Sequence, residues 1–342
     1  MHLKDNRIFY LDELRALAIL LVLLAHTIQY FPVNMDYLTS PTLLSYLTVS
    51  RMGVPLFFML SGALLIGKEY SLSSFFKKRF KRVLIPAIFW YIILFLTVAA
   101  ANGYNFNMIS YWINQAPFPW FVCAIIGIYL VIPIFSSFIK EYGMKGAEYC
   151  LLIWFIIIVL TTFNLSENYY VELIFNNFGL YIGYAILGYY LTNKDFNIYS
   201  LPMMIFNLIA FIVTLSISIY YAFNYVNVVY IYSVSVIIQC ITLFLFLRYL
   251  SKYALFKPKK VLSKVHEFIR KSWIGSLIYF LSISSYTIYL MHIHIVNLLL
   301  QYYPITTFDL IPAVYLLLVL GSIIVAFILS KIPILNRIVG VY

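Results

Sequence analysis

Arg15 and His26 are the residues of this 342-residue chain whose types and spacing point most directly to chemistry. They lie in "LDELRALAILLVLLAH", Leu11 to His26, a stretch apolar enough to cross a membrane. Ionisable side chains are expensive in hydrocarbon and persist there when they have a partner or a task. On a helix, residues eleven apart fall nearly three whole turns on, so both share one face, about 16 Å apart along the axis. An arginine can grip an anion through its planar fork of donors, and a histidine can take a proton from an attacking group. A blander reading stays open. Arg15 can reach the interface or be neutralised by Asp12 and Glu13, and His26 can bond a neighbouring carbonyl.

A second stretch, "SRMGVPLFFMLSGALL" from Ser50 to Leu65, carries Arg51 at about the expected depth of His26, and Ser61 further in. A cation near a histidine favours the neutral imidazole that a general base requires. It can equally hold an oxyanion or an anionic group. The late stretch "SSYTIYLMHIHIV" adds Tyr286, Tyr289, His292 and His294. His292 and His294 are two apart and so point to different helix faces. No cluster of Asp, Glu or Cys completes a metal site with them, so none is expected. Phosphate-cradling glycine loops, nucleophile elbows and His-Glu-x-x-His patterns are absent. Cys123, Cys150 and Cys240 lie in apolar runs without paired spacing and read as small core residues.

The elements that must position these groups are membrane helices. The chain is 64% hydrophobic and only 10% charged, against roughly 25% charged for soluble domains. About ten apolar runs are expected to span, near 9–31, 42–66, 82–101, 120–139, 147–164, 172–191, 202–222, 227–249, 274–297 and 311–332. They form one all-α polytopic domain over residues 1–342. The first run lacks a signal-peptide cleavage pattern and is expected to be retained. The net charge of +11 reflects topology rather than nucleic-acid binding. Apart from Arg15 and Arg51, every lysine and arginine falls on one side of these spans, which puts both termini in the cytoplasm. "KKRFKR", Lys77 to Arg82, reads as a basic loop before the third span, facing anionic lipid. "VLSKVHEFIRKSW", Val261 to Trp273, gathers Val261, Leu262, Val265, Phe268 and Ile269 on one face, as an interfacial helix does, with His266 on its wet side.

Taken together, these motifs resemble the integral-membrane acyltransferase family 3 over nearly the whole chain. "YLDELRALAILLVLLAHT" is similar to that family's first helix, "RMGVPLFFMLSGALL" to its second and "KKRFKRVLIPAIFWY" to the start of its third. "PWFVCAIIGIYLVIPI", with Trp120, Tyr129 and Pro133, resembles the fourth, and "ISSYTIYLMHIHIV" the late Ser-Tyr-x-x-Tyr-x-x-His segment. Many relatives carry Asp where Pro55 stands, so roles given to that Asp do not transfer. The Val-Pro-Leu-Phe-Phe form resembles the stand-alone O-acetyltransferase subgroup that includes the enzyme acting on enterobacterial common antigen.

The resemblance implies a multi-pass enzyme of the bacterial cytoplasmic membrane. It would move an acyl group, most often acetyl from acetyl-CoA, to a hydroxyl of a surface polysaccharide or lipid-linked glycan. By motif match, His26 would be the catalytic base with Arg15 its companion, and Arg79 and Arg82 would meet the CoA phosphates. Arg51, Ser61, Trp120, Tyr289 and His292 are candidates for positioning acyl group or acceptor. Acetyl-CoA is then a co-substrate rather than a resident cofactor, with glycan and bilayer as partners and self-association left open. The alternative from another class is a glycan or lipid transporter, against which no internal repeat and no matched pair of broken helices is visible.

Overall fold

The computed structural model describes residues 7–29, 40–102, 120–162, 181–196, 201–225, 233–256, 260–302, 310–333 and 335–341. Twelve helices follow in chain order: α1 (Phe9–Gln29), α2 (Pro41–Ser50), α3 (Gly53–Leu65), α4 (Leu72–Asn102), α5 (Trp120–Thr162) and α6 (Ile182–Asn193), then α7 (Leu201–Tyr225), α8 (Val234–Phe256), α9 (Val261–Lys271), α10 (Trp273–Tyr302), α11 (Ile311–Lys331) and α12 (Leu335–Val339). Seven helical stretches among the described residues are long and apolar enough to cross a membrane. Among the described residues the secondary structure is all helical, and the chain is a multi-pass membrane protein. α1 is not among the seven, because Asp12, Glu13 and Arg15 crowd its first turns. It sits instead at the centre of the bundle, packed against α2, α3, α8, α10 and α11. The first part of the expected span 172–191 lies outside the described residues, and α6 covers the rest.

Two expectations need correcting, and one span proves to be bent. The span 42–66 is present as an apolar stretch over Pro41–Leu65, turning at Arg51 and Met52 between α2 and α3. Pro55 has no N–H to offer the carbonyl of Arg51, and it fits without loss in the first turn of α3. The basic segment, in contrast, is not a loop. α4 begins at Leu72, with the hydroxyl of Ser71 accepting from the N–H of Ser74 at 3.4 Å, so Arg79 and Arg82 stand one turn apart on a helix.

The second correction concerns His266, which is only 6% exposed. Its Nε2 lies 3.6 Å from Glu13 Oε1, and its ring meets Phe9 edge-on at 5.5 Å. Val261 and Phe268 point outward at 79% and 72% exposure. A helix lying on a membrane protein turns its apolar stripe to lipid, so its polar stripe can face inward. The cysteines also divide, with Cys240 buried, Cys150 intermediate and Cys123 exposed.

Two local devices shape the bundle. Gly143, at φ 61°, divides α5 into two helices, as the expected separate spans 120–139 and 147–164 require. Between α3 and α6 the backbones nearly touch. A Cβ at Gly62 would lie 1.7 Å from the carbonyl oxygen of Ala185, and one at Gly188 would lie 1.9 Å from that of Met59. Small residues at such crossings let helices pack closely where lipid removes the hydrophobic drive to associate.

Candidate active site

α1, α3, α4, α5 and α10 enclose a cavity of about 240 Å³. Arg15, Arg79 and Arg82 line it, together with Ser61, Tyr129 and Tyr289. Ser61 donates to the Phe57 carbonyl oxygen at 3.0 Å, and Tyr129 lines the cavity from α5. Arg7 adds a fourth guanidinium. The acidic residues nearby are already engaged. Asp12 accepts from Arg7 Nη1 at 3.3 Å and from the Ser282 hydroxyl, while Glu13 faces His266. Neither Arg15 nor Arg79 makes a salt bridge among the described residues, and Arg79 Nε is buried without a hydrogen-bond partner. Guanidinium forks in this excess can hold an anion.

Tyr289 lines the cavity from α10. Its ring packs edge-on against Phe121 at 5.0 Å and lies 5.6 Å from the ring of His292. Beyond it, His292 of α10 and His26 of α1 meet with ring centroids 4.5 Å apart, at 60°. His26 Nδ1 is 2.8 Å from the carbonyl oxygen of Val22, and His292 Nδ1 bonds that of Tyr289. A carbonyl only accepts, so each Nδ1 must carry the hydrogen. In the neutral ring that leaves Nε2 with the lone pair, the form a base needs.

His26 is therefore not the isolated base that α1 alone portrays. Of the candidate residues, the fold brings Arg15, Arg79, Arg82, Ser61 and Tyr289 to the cavity and joins His26 to His292. Arg51 and Trp120 do not line it. Arg51 ends α2, with its N–H 3.1 Å from the Leu47 carbonyl oxygen, and Trp120 is 46% exposed beside Tyr181 and Phe121. His294 faces another way, with its ring 5.5 Å from that of Trp90.

A family profile described as an acyltransferase domain matches residues 8–331. The chain belongs to that acyltransferase family. Neither the curated proteins nor the solved structures include a match to it. The family assignment takes in the whole of the cavity except Arg7 and Gly340.

Several residues of this acyltransferase's cavity have no clear signal in the sequence. Arg7, before α1, is one, and Gly340, after α12, is another. The latter is brought in because Trp90 and Thr287 both donate to the carbonyl of Val339, at 3.4 Å and 2.9 Å. Ser282 and Ser285 also line the cavity, and here a signal does exist. Ser282, Ser285, Tyr289 and His292 follow one another at three- and four-residue steps, a polar stripe along one face of α10.

Proposed function

We propose that this acyltransferase moves an acetyl group from cytosolic acetyl-CoA to a hydroxyl of a surface polysaccharide or lipid-linked glycan, in the bacterial cytoplasmic membrane. One observation carries the reading: a cavity rich in guanidinium groups leads to a ring beyond which two histidines with free Nε2 lone pairs meet. A volume of about 240 Å³ is small beside the roughly 300–1,000 Å³ that drug-sized ligands occupy. It suits a slender arm better than a whole nucleotide. The CoA head group then stays at the cytoplasmic mouth, where exposed Arg82 and half-buried Arg79 meet its phosphates. The pantetheine arm runs inward past Arg15, and the thioester reaches the histidines past Tyr289.

Arg15 and His26 are about 16 Å apart along α1, of the order of that arm's reach. His26 Nε2 takes the proton of the acceptor hydroxyl as its oxygen attacks the thioester carbonyl carbon. The carbon–sulfur bond then breaks, and the proton passes to the departing CoA thiolate. Aligning thioester, hydroxyl and imidazole in one dry site supplies much of the acceleration, since such positioning is worth about 7–11 kcal/mol in favourable cases. Tyr289 and Ser61 would then border the arm, with Arg51 and Trp120 on the acceptor side. Mass spectrometry of surface glycans from cells with and without the gene tests the reading. One acetyl group gained per modified sugar is expected. Identical glycan masses would refute it.

A further inference from the structure

His292 has a feature that simple packing does not account for. It is fully buried, its Nδ1 is spent on the Tyr289 carbonyl, and its Nε2 has no hydrogen-bond partner. A buried acceptor left unmade costs free energy, and an apolar side chain of similar size would avoid that cost. The ring it meets is that of His26, itself held at Nδ1 by Val22. Both rings are thus fixed in orientation. Among the described residues no carboxylate makes a salt bridge with His26.

We propose that His292 is a positioning residue whose unsatisfied Nε2 stabilises His26 once it has taken the acceptor's proton. This rests on the acyl-transfer reading above. At rest His26 has one N–H, already donated to Val22, and nothing to give His292. When the hydroxyl O–H bond breaks and its proton reaches His26 Nε2, the ring becomes a cation with a second donor. The His292 ring, with its unshared Nε2 lone pair and its centroid 4.5 Å away, then lies against a cation instead of a neutral imidazole. The Nε2–H of His26 stays directed at the reacting oxygen and sulfur. As the new ester bond forms and the carbon–sulfur bond breaks, the proton goes on to sulfur, and His292 gains or loses none. The interaction exists while charge is on His26 and not before, so it lowers the barrier rather than merely tightening binding. His294, packed on Trp90, takes no part.

The test uses membranes from the native cells carrying the parent, His292→Asn or His292→Gln, fed radiolabelled acetyl-CoA, with label counted in the glycan fraction. Asparagine keeps a donor near Nδ1 for the Tyr289 carbonyl and has nothing at the ε position. Glutamine reaches that position with a carbonyl oxygen. The Asn variant should lose about 30-fold or more in maximal rate, with KM for acetyl-CoA within about twofold of the parent. The Gln variant should recover to within about fivefold of the parent. Equal losses in both variants, or a loss under about threefold in Asn, would overturn the proposal. So would loss of acetyl-CoA binding along with rate, because His292 would then be holding the fold. A parent that transfers no label overturns the acyl-transfer reading, and this one with it. A parent that transfers label beside an equally active Asn variant overturns this one alone.

Discussion

Replacing His26 by alanine separates the two halves of the proposed mechanism. The imidazole's one hydrogen bond is to Val22 of its own helix, and its ring packs on His292. Alanine is the best helix former, so α1 should persist with only a small void beside α10. A positioned general base contributes about 10²- to 10⁴-fold, or about 3–5 kcal/mol of barrier. The rate of acetyl transfer should fall by that range. Binding should not follow. His26 does not line the arginine cavity and lies about 16 Å along α1 from Arg15. Groups more than about 7–10 Å apart with no shared partner act nearly independently. Titration of the purified variant with CoA should therefore give a Kd within about twofold of the parent. A rate loss below about tenfold, worth 1.4 kcal/mol, is too small for an essential base and refutes the assignment. A parallel collapse of CoA affinity refutes the separation of donor cavity from histidines.

Other outcomes follow from the same geometry. The double variant Arg79→Ala, Arg82→Ala should weaken CoA binding by more than about 100-fold at low salt, at about 1.5–3 kcal/mol for each of two charge-assisted contacts. The deficit should narrow as the screening length falls from about 10 Å at 0.1 M salt to about 3 Å at 1 M, and unchanged affinity would leave these arginines as lipid anchors only. With Cys123, Cys150 and Cys240 removed, a cysteine at Gln29 should react with an impermeant thiol reagent from outside the cell, and one at Ser74 only from inside; both positions are exposed, whereas Thr27 is buried and bonded to Leu23. The reverse labelling pattern would invert the topology and with it the cytoplasmic donor site. Gly188→Val should cost at least about 3 kcal/mol, because its Cβ meets the Met59 backbone rather than a side chain that can move. A thermal midpoint unchanged by that substitution would show that α3 and α6 do not cross this closely.

Helical period acts along one chain segment, and what it governs was legible. Arg15 and His26 share a face of α1 because 3.6 residues make a turn, and His292 and His294 diverge for the same reason. The break at Arg51 was also written locally, in Pro55, although a 25-residue apolar run masked it. Hydropathy established the membrane class, and motif order pointed to the acyltransferase family that the match over residues 8–331 bears out.

Which faces meet was decided in three dimensions. The bond from Ser282 to Asp12 spans 270 residues, and the meeting of His26 with His292 nearly as many; neither has a local signature. The inward turn of His266 depends on Glu13 waiting on a different helix. Gly340 reaches the cavity only because Trp90 and Thr287 hold the Val339 carbonyl. In a soluble bundle the apolar stripe of a helix marks its buried face. In lipid both faces of a helix are apolar, so its neighbours are chosen by close backbone fit, as at Gly62 and Gly188, and by polar groups that must find one another.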